Sequence, residues 1–113
     1  MKGFKLILAA AFLAGAAVGY AGVLAYAGVQ HTITEKGKVF SQADITIKAG
    51  DTLVFVNDDN IAHNVMSNDA DNKFNLGLLQ PGSATPVTFD KPGEATILCA
   101  IHPSMKMHVK IAN

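Results

Sequence analysis

The sequence predicts an all-β domain of about seven to eight short strands behind an uncharged N-terminal segment. Three observations carry that prediction. Gly, Pro, Asn and Asp punctuate the chain at short intervals from Val29 onward. The runs between them are short and rich in Val, Ile, Thr and Phe, and no helical period is sustained over three turns. Strands spaced in this way pack as an antiparallel sandwich or barrel.

The elements follow in order. Val29 to Thr34 is the first expected strand, and Ala43 to Lys48 alternates around Ile45 and Ile47 before a turn at Ala49-Gly50-Asp51. Thr52 to Asn57 is a continuous apolar run, as expected of a strand buried on both sides or nearly so. Asn57 to Asn60 is a polar turn, and Ile61 to Met66 is extended again. Residues 67–80 are polar and read as an irregular excursion. Turns at Pro81-Gly82 and Asp90-Lys91-Pro92-Gly93 bound a strand over Thr85 to Phe89. Glu94 to Cys99 and Lys106 to Ala112 are the last two strands.

The first residues belong to export rather than to this domain. Lys2 and Lys5 form a basic start, and no charged residue follows from Leu6 to Val29. Ala25-Tyr26-Ala27 supplies an A-x-A pattern, so a signal peptide over residues 1–27, cleaved after Ala27, is expected. The uncharged run is also long enough to cross a bilayer, which leaves an uncleaved membrane anchor as the alternative. Its Ala/Gly richness makes it a weak spanning helix.

Residues 28–113 then form one domain carrying seven lysines and nine acids, a formal charge of −2, with no arginine. A nucleic-acid partner would need a basic stripe, and none exists. Small exported domains often lean on disulfides, yet Cys99 is the only cysteine and can form no internal bridge. It is therefore an inert buried thiol, a pairing orphan or a metal ligand.

Its neighbours decide among these. Cys99-Ala100-Ile101-His102-Pro103-Ser104-Met105 places a thiol, an imidazole and a thioether on one loop. Such soft donors select copper over magnesium or calcium. The Cys-x2-His spacing alone is not specific, because zinc sites use it too. A zinc site would want further cysteine or histidine, and only His31, His63 and His108 remain. With His63 as second imidazole, the set His63, Cys99, His102 and a methionine is the donor list of a blue-copper electron-transfer site. Strand parity bears on the methionine. Met107 shares the inward parity of Val109 and Ile111, so its default role is packing, whereas Met105 lies in the turn that carries His102. Met105 is the expected axial donor, and a bulge reversing the parity would favour Met107.

These residues carry a resemblance to the cupredoxins, the small blue-copper proteins of plastocyanin, amicyanin and pseudoazurin type. It runs from about Ser41 to Asn113, through Ala49-Gly50-Asp51-Thr52-Leu53-Val54-Phe55-Val56-Asn57, His63-Asn64-Val65, Pro92-Gly93-Glu94 and the Cys99 loop. The resemblance implies a Greek-key β-sandwich binding one type 1 copper, with His63 as first ligand and Cys99, His102 and Met105 from one loop. Cys-x2-His-Pro-x-Met followed by Lys106 looks most like the short amicyanin loop. The chain also departs from the family. Ala95, Ile97 and Leu98 stand where aromatics are usual, and Leu98 replaces a tyrosine used for partners. Ala100 replaces a Ser or Thr, so Asn64 is expected to bond backbone groups instead of a hydroxyl. Only Asp58 and Asp59 are adjacent acids, so no acidic docking patch is evident.

The implied function is single-electron transfer between periplasmic redox partners, with His102, flanked by Ile101 and Pro103, as the electron port. No position is open for a substrate, so the protein is expected not to be an enzyme, and a monomer is expected. Two other readings stand beside it. Met66, Met105, Met107 and His108 would also suit a periplasmic protein of copper tolerance, and a plain β-sandwich with an inert thiol remains the third.

Overall fold

Nine strands build two sheets facing each other across one core, in a computed structural model that describes residues 26–113. The expected signal segment thus lies outside the described residues, apart from Tyr26 and Ala27. The strands are β1 (Gln30–Lys36), β2 (Val39–Phe40), β3 (Asp44–Lys48), β4 (Asp51–Asn57), β5 (His63–Ser67), β6 (Phe74–Leu79), β7 (Ala84–Phe89), β8 (Gly93–Leu98) and β9 (Lys106–Ala112). One sheet has the order β2-β1-β4-β7 and the other β3-β9-β8-β5-β6. Two pairs, β1 with β4 and β3 with β9, run parallel, so both sheets are mixed rather than purely antiparallel.

Period-two burial explains the strands. β9 alternates Met107, Val109 and Ile111 inward against Lys106, His108 and Lys110 outward, as its sequence predicts. β4 does the same, with Leu53, Phe55 and Asn57 inward. Its other face is half-buried, so this apolar run serves one core rather than two. Pro86 is tolerated in β7 because that strand pairs only with β4 and leaves its outer edge free.

Residues 67–80 depart from the expectation of an irregular excursion. A 3-10 turn over Ala70–Asn72 leads into β6, which pairs with β5 at the sheet edge. Its sequence, Phe-Asn-Leu-Gly-Leu-Leu, carries polar Asn75 and a glycine at φ 74°, so neither the period nor the composition marks it as a strand. Phe74 of β6 meets Phe89 of β7 edge to face at 5.9 Å, closing that side of the sandwich.

The N-terminal end of β4 is tied by buried Asp51. Its carboxylate accepts from the Tyr26 hydroxyl (2.6 Å), the Val29 and Lys48 amides (2.9 and 3.0 Å) and lies 3.0 Å from His31 Nε2. The Tyr26 bond, chiefly, with the Lys48 amide and His31, holds this carboxyl well below the usual range. Gly28 passes so close to Gly50 that a Cβ there would run into the Gly50 carbonyl oxygen. This knot leaves the opposite end of β4, about 20 Å away at ~3.3 Å per residue, for other chemistry.

Candidate metal centre

At that far end the inward files of two adjacent strands run out on chemically active side chains. In β8 the buried positions are Ala95 and Ile97, and Cys99 continues the file one step past the strand. In β5, His63 and Val65 share the core face, with His63 fully buried. The loop after Cys99 then makes two successive turns. The His102 amide donates to the Cys99 carbonyl at 3.3 Å, and the Met105 amide to the His102 carbonyl at 2.8 Å. Pro103 stands at the second position of the second turn, where its fixed φ is favoured. Repeating an i to i+3 turn brings residues 99, 102 and 105 to one side of the loop, which is the physical content of the Cys-x2-His-x2-Met spacing.

The three donors converge. His63 Nδ1 and His102 Nδ1 are 3.1 Å apart, and Cys99 Sγ is 3.7 Å from His102 Nδ1. The ligand atoms of His63, Cys99 and His102 all lie within 4.8 Å of one another. The two rings meet edge to face at 4.9 Å between centroids. Cys99 and His63 are buried, and His102 is the partly exposed member. Met105 is buried at the loop's end, and Met107 is buried opposite Ile97 in the core.

Hydrogen bonds around the donors orient them. His63 Nε2 lies 2.9 Å from Asp59 Oδ2, so the carboxylate holds the proton on Nε2 and leaves the Nδ1 lone pair facing the cluster. The bond to His63, first, holds the Asp59 carboxyl below the ordinary range, with the Lys38 and Asn60 amides assisting against its partial burial. Asp59 is placed by Asn57, whose Oδ1 accepts from the Asp59 amide at 2.9 Å while its Nδ2 donates to the Ile61 and Leu79 carbonyls. Asn64 ties the strand that carries His63 to the Cys99 loop. Its amide donates to Cys99 Sγ at 3.3 Å, its Oδ1 accepts from the Ala100 amide at 3.0 Å, and its Nδ2 donates to the Gly77 carbonyl at 2.8 Å. Asn64 therefore bonds backbone groups in place of a hydroxyl, as expected from the alanine at position 100, and its Nδ2 also donates to Asn75 Oδ1 at 2.9 Å.

His31 and His108 stay outside the cluster. The first belongs to the Asp51 knot, and the second pairs with Glu94 at 3.0 Å on the exposed face of β9. Sequence reasoning missed Asp59, which it read as part of a polar turn. The available signal was its position four residues before His63.

A thiol and two imidazoles meeting in a buried pocket suit copper better than a hard cation. Among the described residues no fourth His, Cys, Asp or Glu joins the group to complete a tetrahedral zinc site. The fold and this donor set define a single-site copper protein of β-sandwich type. The chain belongs to the copper-binding plastocyanin/azurin family, whose model matches residues 27–112. No curated protein sequence matches the chain. Among solved structures, a copper-containing nitrite reductase from Thermus scotoductus SA-01 is 29% identical with a TM-score of 0.68, over 80% of this chain. This chain spans only 23% of that enzyme's length. A purple cupredoxin from Nitrosopumilus maritimus is 25% identical with a TM-score of 0.64, covering 72% of this chain and 98% of its own. A methionine-to-alanine mutant of amicyanin in its Cu(I) form shares the fold, at 19% identity and a TM-score of 0.67, over 78% of this chain and 85% of its own.

Proposed function

We propose that this protein carries single electrons through one type 1 copper held by His63, Cys99 and His102, with Met105 as the weak axial donor. The observation that supports it best is the convergence of two imidazole nitrogens and one sulfur on a preformed pocket with only His102 near the surface. Bound copper supplies one-electron redox chemistry, and the protein supplies geometry. Asp59 and Asn64 hold their ligands from two sides, so little reorganisation accompanies a change of charge at the centre. Burial of Cys99 and His63 keeps water from the sulfur.

The partner is a redox protein that docks at the His102 end. Ile101 is 48% exposed beside it, and Leu78, paired with Asn64, and Ile61 are exposed at the same end. These apolar groups favour contact with another protein over free solvent. The similarity to a nitrite reductase concerns one portion of a longer chain, and a non-enzymatic carrier is the reading we adopt for this one. Storage of extra copper is less favoured. Met107 is packed in the core, and Met66 lines a shallow groove beside Leu98, Ala100 and Lys106.

Export to the periplasm is part of the proposal and rests on the uncharged N-terminal run. The Tyr26 bond to Asp51 favours a retained anchor, or a cut upstream of Tyr26, over cleavage after Ala27. The intact mass of the protein purified from cells distinguishes these products. For the copper itself, purified protein titrated with Cu(II) develops an intense visible thiolate-to-copper band and gives a reversible one-electron wave at an electrode. Colourless protein, or a band without a reversible wave, overturns the proposal.

A further inference from the structure

Glu35 is fully buried, and neither of its carboxyl oxygens has a hydrogen-bond partner. These are the only such side-chain atoms among the described residues. Native folds rarely leave a carboxyl group in that state, and each case calls for a physical reason. Glu35 lies near the end of β1, on the inward file with Ile33 and in register with Asn57 of β4. Asn57 cannot serve it, because its amide group donates to the Ile61 and Leu79 carbonyls. The other inward side chains of its neighbours β2 and β4 are Phe40, Leu53, Phe55 and, at the far end of β4, Asp51, whose carboxylate is already held by Tyr26, His31 and the Val29 and Lys48 amides.

Two titratable groups act on its charge. They are His63, which favours the ionised carboxylate, and Asp59, which opposes it. Both belong to the carboxylate–imidazole pair that orients the metal centre, although no hydrogen bond joins Glu35 to any metal-binding residue. Burial is the largest influence, and it pushes the carboxyl up to about 7. Solvent is close. The Asp58 amide donates to the Glu35 carbonyl, and Asp58 itself lies on the surface with its carboxylate 4.0 Å from Lys36.

We propose that Glu35 is a redox-linked proton acceptor, taking one proton from solvent as the centre gains an electron and returning it on oxidation. The inference rests on the electron-carrier reading above. The balance is simple. A one-electron donor protein supplies the electron, which converts bound Cu(II) to Cu(I). The proton comes from hydronium or a buffer acid in the solvent: one bond to hydrogen breaks there, leaving water or the buffer base, and one O–H bond forms on Glu35. The physical reason is charge compensation. Reduction lowers the charge of the centre by one, and in a weakly polarisable interior this favours a proton on a nearby group able to take it. Asp59 is a poor competitor, since His63 Nε2 and the Lys38 amide already stabilise its charge. Glu35 has no such donors.

The test uses the copper-loaded protein in weak buffer near neutral pH, with a pH-indicator dye and hexaammineruthenium(II), a reductant that carries no proton of its own in the reaction. The wild type should take up a substantial fraction of one proton per electron. Glu35→Gln should keep the visible band and lose nearly all of that uptake, whereas Asp58→Asn should retain it. No uptake in the wild type, or equal uptake in Glu35→Gln, overturns the proposal. Should Glu35→Gln fail to fold, the redox infrared difference spectrum of the wild type decides. A protonated-carboxyl band gained on reduction supports the assignment, and its absence overturns it. A wild type without the visible band rejects the electron-carrier reading and this inference together. A band without proton uptake rejects this inference alone.

Discussion

Asn64→Ala is the substitution that tests how the centre is built. The Asn64 side chain makes three hydrogen bonds, to the Ala100 amide, the Gly77 carbonyl and Asn75 Oδ1, and the residue is only 5% exposed. At about 1 kcal/mol for each bond, the loss comes to about 3 kcal/mol. A domain of this size loses roughly 4–8 °C of Tm per kcal/mol, so the metal-free protein should melt roughly 15 °C lower. The assay is thermal unfolding by circular dichroism, paired with the Cu(II) spectrum. The Ala100 amide tethers the loop one residue from Cys99, so the thiolate band should weaken or shift as well. Asn64→Asp keeps the acceptor for Ala100 and loses the donors, and it should move the spectrum less than Asn64→Ala does. A loss under about 1 kcal/mol with an unchanged band would refute the view that Asn64 joins the two ligand-bearing segments.

The remaining predictions concern the ligands and their surroundings. Met105→Leu should shift the visible band or the reduction potential. Met107→Leu, a near volume-conserving core exchange, should cost less than about 1.5 kcal/mol and leave both in place; the reverse ranking would reassign the axial donor. Asp59→Ala removes the carboxylate that orients His63 and should weaken copper binding by about 10–100-fold in a chelator competition titration. The metal-free protein should lose stability as pH rises from about 4.5 to about 7. Its Glu35 carboxyl binds a proton more tightly folded than unfolded across that window. A full shift would be worth about 3 kcal/mol, and screening at the end of the sheet reduces this to about 2. Urea titrations of Glu35→Gln should show that slope flattened.

Local chemistry made much of this protein legible. The turn after Pro81, the β9 alternation and the Cys99 loop all depend on neighbours a few residues apart, and each is found where the residues indicate. β6 was not legible, because an edge strand can carry polar residues and a glycine without exposing a core. The parallel pairing of β1 with β4 was equally hidden. Nothing within Gln30–Lys36 states which distant strand will accept its backbone.

The same division runs through the candidate site. Residue types and their spacing pointed to Cys99 and His102 as partners, since a turn joining them brings both to one side of the loop wherever that loop is placed. What surrounds the donors was decided only by the tertiary structure. Asp59 reaches His63 because Asn57 pins the intervening loop, and Glu35 is buried in register with Asn57 because β1 lies beside β4. Ligands follow from short-range geometry. The charges that tune them follow from long-range packing, in which residues far apart in sequence are buried together.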